Sequence, residues 1–210
     1  EDFDRDRYGP PVFLIAPRIA LYKGIHFAIR AAAAFDQRAP EKEWEMWIAG
    51  HGDPLTMEYL TELIANLKVG HRVKFIGKHT RNATFETMQR ATAVISPSVF
   101  DEPFGNTNIE ALASGTVLIA SRSGAIEEII QHGKSGLIYD RYNVQELSHH
   151  MEIILDNRAM RLTLQAGGQE RVRAMFTQNQ IMKQVEKKLM DVAAIPIPET
   201  VLEAEMVTLQ

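Results

Sequence analysis

The chain has 210 residues, of which 45% are hydrophobic and 24% are charged, and it contains no cysteine. This composition is that of a globular protein in water, and it excludes a collagen-like, a disordered or a disulfide-stabilised chain. The 23 Lys and Arg residues against 27 Asp and Glu residues leave a net charge of -4, so any phosphate binding must be local rather than a property of the whole molecule.

Short apolar runs alternate with helical patterns along the chain. Strands are predicted at residues 12–16, 44–49, 73–76, 93–95, 117–120 and 136–139. Helices are predicted at residues 22–35, 59–67, 85–91, 106–113 and 125–130, and from residue 144 to about residue 192. Because the strands are continuously apolar, both faces of their sheet must be covered. The alternation therefore predicts an α/β fold: a Rossmann-like, doubly wound parallel sheet with helices on both faces and a helical C-terminal end.

Neither a membrane span nor an export signal is visible in the sequence. No run of about 18 apolar residues occurs, and residues 1–7 are mostly charged where a signal peptide would be apolar. The absence of cysteine agrees with a reducing compartment. These features favour a cytoplasmic protein.

Ligands of such a sheet bind beyond the carboxyl ends of its strands, where helix N-termini offer free N–H groups. Arg18 follows the first predicted strand, and Lys23 with Gly24 comes after four intervening residues. Two cations at this spacing can flank one turn and suit a diphosphate, although a solvated surface pair is the alternative. Gly50 and Gly52 form a turn after the second strand, which is either a ligand contact or an ordinary connection.

Two glutamates stand eight positions apart in residues 96–110. Glu102 lies in a loop rich in proline and glycine, and Glu110 lies about one turn into the next predicted helix. Carboxylates accept paired hydrogen bonds from neighbouring hydroxyls, so each could hold a sugar diol. The alternatives are a solvated loop acid for Glu102 and an ordinary helix residue for Glu110. There is no Walker loop and no His-Glu-x-x-His arrangement, so we expect no metal held by the protein.

This segment resembles the Glu-x7-Glu signature of the retaining glycosyltransferases of family 4, the glycosyl transferases group 1, which have the two-domain GT-B fold. Other elements of the family occur in the expected order along the chain, before and after this segment: Arg18 with Lys23 and Gly24, residues 49–52, Gly77 after the third strand, residues 121–129 and residues 133–138. The resemblance covers residues 11–180. It implies the C-terminal domain of such an enzyme, the one that binds the donor nucleotide.

The resemblance also implies the role of each matching residue. Arg18 and Lys23 would neutralise the diphosphate of the donor and stabilise the leaving nucleotide without a required metal. Glu102 would orient the donor sugar, and Glu110 would hold the ribose hydroxyls. The other implied donor contacts are Gly50 in the glycine turn, Gly77 and Lys78 beside the base, the backbone of Phe104, Gly105 and Asn106 near the sugar, and Thr107 and Asn108 near the phosphates.

Members of this family also carry an N-terminal acceptor domain, which has no counterpart in the sequence. Residues 1–10 are therefore predicted to be a remnant of the inter-domain linker, residues 11–192 the nucleotide-sugar-binding domain, and residues 193–210 a tail. The expected partners are a nucleotide sugar and an N-terminal GT-B acceptor domain, in the full-length protein or as a separate chain. No nucleic acid is expected. Peripheral association with the inner face of a membrane, as in relatives, would depend on the missing half.

The predicted function is donor binding within a hexosyltransferase. The enzyme would transfer a hexosyl group, with retention, from a nucleotide-diphosphate sugar to a carbohydrate or lipid-linked acceptor, as in polysaccharide biosynthesis. No cofactor is implied, because the UDP- or GDP-linked sugar is a substrate. The isolated domain is expected to be inactive without the acceptor domain. Two alternatives remain: a GT-B domain like that of nucleotide-sugar 2-epimerases, and a non-catalytic module that binds a sugar nucleotide or a partner.

Overall fold

The computed structural model of the protein describes residues 9–16 and 18–193. The strands are β1 (Val12–Ile15), β2 (Glu45–Ala49), β3 (Val73–Gly77), β4 (Ala93–Ser96), β5 (Val117–Ser121) and β6 (Leu137–Tyr139). The helices are α1 (Ile25–Arg38), α2 (Pro54–Asn66), α3 (Arg81–Arg90), α4 (Asn106–Ala113), α5 (Ile126–Ile129), α6 (Val144–Asp156), α7 (Arg158–Met175) and α8 (Gln178–Ala193). The predicted linker and tail fall outside the described residues, except for residues 9, 10 and 193.

The six strands form one parallel sheet in the order β3-β2-β1-β4-β5-β6. Phe13 of β1 pairs with Met46 of β2 on one side and with Ala93 of β4 on the other. The strand order therefore reverses between β1 and β4. In an open parallel sheet this reversal leaves a crevice at the carboxyl ends of the strands, where ligands bind. The predicted doubly wound α/β fold is confirmed.

The main core lies between the sheet and helix α1. The side chains of Ile25, Ile29 and Phe35 recur at helical spacing on α1 and are fully buried. The Phe35 ring stacks on Trp44 with 5.0 Å between the ring centroids, and Phe13 meets the same indole edge-on. Helices α2 and α6 pack beside α1, whereas α3 packs against α4 and β1. The strands are thus covered as their continuous apolar runs require.

Two helices begin earlier than the apolar spacing indicated, because polar residues cap them. The Asp53 carboxylate accepts the N–H of Thr56 at 2.9 Å and starts α2 at Pro54, five residues before the predicted start. The Thr80 hydroxyl accepts the N–H of Ala83 and starts α3 at Arg81. Side-chain oxygens at these positions satisfy N–H groups that a helix leaves free in its first turn.

The prediction of one continuous helix from Val144 to about Val192 is wrong, since three helices occupy this stretch. Asn157 ends α6, and its side chain accepts the N–H of Met160 in the first turn of α7. The chain divides into two compact units, one up to Val172 and one from Arg173. Helix α8 of the second unit buries none of its residues. No helix within the described ranges is both long and apolar enough to span a membrane.

Candidate functional site

Two cavities adjoin at the carboxyl ends of β1 to β4, where the strand order reverses. The first has a volume of about 190 Å³ and lies beside β1 and β4. The second has a volume of about 410 Å³ and lies beside β1, β2 and β3. Ala16, which directly follows β1, lines both. The two cavities therefore border each other at the position that the sheet topology selects for a ligand.

Each cavity collects residues that the sequence singled out. The first cavity is lined by Lys23, Glu102, Phe104, Gly105, Asn106, Thr107 and Asn108, together with Ala16 and residues 94–98. The second is lined by Ala16, Arg18, Ala49, Gly50, His51, Lys78, His79 and Thr84. Sequence reasoning did not assign a role to His79 or Thr84. A signal was available, because His79 directly follows the predicted contact Lys78 at the end of β3.

Lys23 and Glu102 meet in the first cavity although 79 positions separate them. The Lys23 ammonium forms an ion pair with Oε1 of Glu102, and each side chain is only about one-fifth exposed, at 19% and 21%. The next residue, Gly24, explains how Lys23 approaches β4. Gly24 has a φ of 70°, and a Cβ atom there would lie 1.8 Å from the carbonyl oxygen of Pro97. Only glycine tolerates both conditions.

The loop that carries Glu102 is held at its backbone. The N–H of Ala125 donates to the carbonyl oxygen of Glu102 at 3.1 Å. The neighbouring Asp101 accepts the N–H of Gly124 and forms an ion pair with Arg141. The Gly124 hydrogen bond, followed by the Arg141 guanidinium, holds the pKa of the Asp101 carboxyl below its usual value. The loop is therefore anchored while Glu102 points into the first cavity.

Helix α4 presents its N-terminus to the same cavity. Its N-cap is Gly105, which has a φ of 73° and no side chain that could cap the helix. The N–H of Asn108 donates to the Gly105 carbonyl oxygen at 2.9 Å, but no side chain of the N-cap residue covers the N–H groups before it, and the helix dipole favours an anion there. Asn108 of this turn is buried, and its Oδ1 atom has no hydrogen-bond partner within the described part of the chain.

Glu110 and Gly77 line neither cavity. The carboxylate of Glu110 binds Arg81 of α3, with Oε1 at 2.8 Å from Nη2 and 3.0 Å from Nε. Arg81 itself is 85% exposed. Gly77 is nevertheless close to the second cavity, since its carbonyl oxygen accepts the N–H of Gly50 at 2.8 Å. Within residues 9–16 and 18–193, no group of three or more His, Cys, Asp or Glu residues is placed to hold a metal ion.

The arrangement combines an anion site with a carboxylate. Lys23 and the α4 N-terminus face the first cavity, and Arg18 with Lys78 faces the second. Arg18 makes no hydrogen bond or ion pair to any other described residue. Glu102 is the one carboxylate among the described residues that line either cavity. Such a site can bind a polyvalent anion along the cations and accept hydrogen bonds from hydroxyls at Glu102.

Comparison with known proteins agrees with this geometry. The model of the family described as glycosyl transferases group 1 matches residues 3–171. The chain is 27% identical over 190 residues to the D-inositol 3-phosphate glycosyltransferase of Corynebacterium diphtheriae, a match that covers 90% of this chain and 44% of that protein. The chain thus spans less than half the length of this curated relative.

Solved structures show the same fold. Sucrose-phosphate synthase from Thermosynechococcus elongatus superposes with a TM-score of 0.76 at 27% identity, over 87% of this chain and 46% of that one. The C-terminal domain of the glycosyl transferase group 1 family protein LpcC from Francisella tularensis superposes with a TM-score of 0.71 at 23% identity, over 83% and 91%. The family match over 169 of the 210 residues, from residue 3 to residue 171, shows that the chain belongs to the glycosyl transferases group 1.

Proposed function

We propose that this chain is the donor-binding half of a retaining glycosyltransferase. The enzyme transfers a hexosyl group from a nucleotide-diphosphate sugar to a carbohydrate or lipid-linked acceptor. The observation that carries the proposal is the convergence of Lys23, Glu102 and the open N-terminus of α4 on one cavity. A second, cationic cavity adjoins it through Ala16. A diphosphate with a sugar at one end and a nucleoside at the other has this distribution of charge and hydroxyls.

The diphosphate is proposed to lie where the two cavities meet. Lys23 and the first-turn N–H groups of α4 would bind it from the first cavity, and Arg18 from the second. In the transfer, the bond between the anomeric carbon and the diphosphate oxygen breaks, and its electron pair leaves with the nucleotide. Fixed cations and N–H groups stabilise the charge that develops on this oxygen. This stabilisation does not require a metal ion.

The hexosyl group is proposed to occupy the first cavity against Glu102. Its carboxylate would accept hydrogen bonds from sugar hydroxyls and stabilise the positive charge that develops on the sugar ring. The acceptor oxygen would form the new bond to the anomeric carbon on the face that the diphosphate leaves, and its proton would pass to the departing diphosphate oxygen. Support for retention comes from the Glu-x7-Glu spacing of Glu102 and Glu110 and from the shared family.

The nucleoside is proposed to occupy the second cavity. Gly50 and Lys78 line it, and Gly77 supports the Gly50 turn through a backbone hydrogen bond. Glu110 does not line this cavity, so the ribose role proposed for it requires that the ribose extend beyond the cavity and that the carboxylate share or release Arg81. Arg81 is mostly exposed, so its side chain can turn toward solvent at low cost. The base is proposed to be uracil or guanine.

The complete enzyme is proposed to contain an N-terminal acceptor domain and to act in the cytoplasm, at the inner face of a membrane in some settings. The Corynebacterium diphtheriae glycosyltransferase and sucrose-phosphate synthase are each about twice as long as the region matched to this chain. The chain alone is expected to bind the donor while transferring little, because the groups that orient the acceptor would come from the other half.

Calorimetric titration of the chain with UDP and with GDP, in the absence of metal, tests the proposal. We expect one nucleotide to bind, and Arg18→Ala to weaken its binding about tenfold, since a charged contact to phosphate is removed. Glu110→Ala should weaken nucleotide binding but not pyrophosphate binding. Lys187→Ala removes an exposed cation from α8 and should change neither. If a folded chain binds neither nucleotide, the donor-binding proposal fails.

A further inference from the structure

The ion pair between Lys23 and Glu102 conflicts with the roles proposed for these residues. Donor binding needs the Lys23 ammonium on a phosphate oxygen and the Glu102 carboxylate on sugar hydroxyls. In the structure the ammonium and the carboxylate bind each other instead, and about four-fifths of each side chain is buried. The two charges therefore neutralise each other inside the cavity. The proposed function, on which the next step rests, requires the ligand to separate this ion pair.

We propose that the Lys23–Glu102 ion pair is a specificity lock that an incoming diphosphate opens. A diphosphate replaces Glu102 as the partner of Lys23, and the released carboxylate then becomes available to the sugar. A hexose that carries no phosphate offers only neutral hydroxyls, which cannot displace a carboxylate from a largely buried ammonium group. The site therefore accepts sugars that carry their own polyvalent anion.

The backbone on both sides of the pair favours this exchange over a movement of the loops. Close packing of Gly24 on the Pro97 carbonyl fixes the chain beside Lys23, and the N–H of Val99 donates to the carbonyl of Tyr22 at 3.0 Å. The Glu102 carbonyl is held by Ala125. Because both backbones are anchored, a change of partner falls to the two flexible side chains.

The other charged groups near the pair do not compete in this exchange. Asp101 is engaged by Arg141 and the Gly124 N–H. Arg18 and Lys78 line the second cavity and not the first. The α4 N-terminus attracts the incoming anion and does not attract the Lys23 ammonium. The diphosphate thus gains Lys23 and the helix terminus together, whereas Glu102 loses a single partner.

A double-mutant cycle tests the lock, with inorganic pyrophosphate and UDP as the titrated ligands. The variants are Glu102→Gln, Lys23→Met and the two combined, compared with the unchanged chain. Freeing Lys23 raises the fraction of molecules competent to bind, so Glu102→Gln should tighten pyrophosphate and UDP binding about fivefold. In the Lys23→Met background the same change should alter the affinity by less than about twofold. Thermal unfolding confirms that each variant is folded.

Equal tightening in both Lys23 backgrounds would overturn the lock, because it would reflect only the removal of a negative charge. Unchanged or weaker pyrophosphate binding in Glu102→Gln would also overturn it. Asp101→Asn, which removes the neighbouring charge, should not tighten binding and serves as the control. If pyrophosphate binding follows the expected cycle while UDP and GDP do not bind, the lock holds and the proposed function fails. If UDP binds but Glu102→Gln does not tighten its binding, the proposed function holds and the lock fails.

Discussion

At the scale of single residues, glycines control how closely the chain segments of the site approach. Gly24 lets the backbone beside Lys23 pack on the residue that follows β4. Gly124 packs on the backbone of Glu102, where an added Cβ would lie 2.1 Å from the Glu102 carbonyl oxygen. Both have positive φ values. The charged groups on the two sides of the first cavity can meet only because these two positions lack side chains.

Gly24→Ala should therefore destabilise the protein strongly. The new Cβ atom would clash with Pro97 and also hold alanine in the left-handed region, so we expect a loss of about 3 kcal/mol or more in unfolding free energy. Gly133→Ala is the matched control, since Gly133 has a φ of 76° but nothing within 4 Å of the added atom. It should cost about 1 kcal/mol. Urea unfolding measures both, and equal losses would contradict the packing argument.

At the scale of secondary structure elements, the edge strand β6 depends on two histidines. Nδ1 of His132 accepts the N–H of Ile138 at 2.9 Å, and Nε2 of His150 donates to the carbonyl oxygen of the same residue at 3.2 Å. Ile138 pairs with Ala120 of the neighbouring β5 in the sheet register. The histidines thus bind polar backbone groups that would otherwise remain unpaired at the end of the sheet.

This arrangement predicts that acid destabilises the protein. Burial lowers the pKa of His150 from the ordinary value of 6.5 and outweighs the hydrogen bond to Ile138 and the charge of Glu146, which both raise it. The unfolded chain then binds the proton more readily than the folded chain. The contribution of His150 to stability is therefore complete above pH 6.5 and is lost as the pH falls below it. The free energy of unfolding, measured with urea, should fall less steeply from pH 7 to pH 5 in His150→Gln than in the unchanged chain. An unchanged slope would show that other groups carry the acid sensitivity.

At the scale of the whole molecule, the cavities open at the carboxyl edge of the sheet, and the chain matches less than half of its curated relative. The proposed reaction needs an acceptor held beside the donor as well as the donor itself. Binding and transfer are therefore separable. We expect the chain to provide binding, and an N-terminal half to complete the transfer.

Glu102→Ala separates these two properties once an N-terminal half is supplied, for example by fusion to that of the Corynebacterium diphtheriae relative. Transfer should fall at least about hundredfold, because stabilisation of the developing charge is lost. UDP binding should be retained or tightened. Glu128→Ala removes an exposed carboxylate from α5 and should leave transfer unchanged. Equal transfer in the two variants would favour a non-catalytic binding module.

Much of the site was visible in the sequence because its residues lie in short local motifs. Lys23 and Gly24, and residues 102–108, each follow a strand, and parallel strands bring their carboxyl ends to one edge. The structure brings both groups to one cavity as expected. The partner of Glu110 was not predictable in the same way. Arg81 lies 29 positions earlier, in a helix whose start depends on the Thr80 cap rather than on apolar spacing.

The sequence by itself determined the alternation of strands and helices and the family motifs, since both depend on neighbours within a few residues. Only the tertiary structure decided that Lys23 and Glu102 neutralise each other and that Asn157 divides the C-terminal helical stretch. Ion pairing depends on distance and burial in space, which residues 79 positions apart acquire only when the sheet assembles. For this reason the pairing of charges in the site follows from the fold and not from the motif.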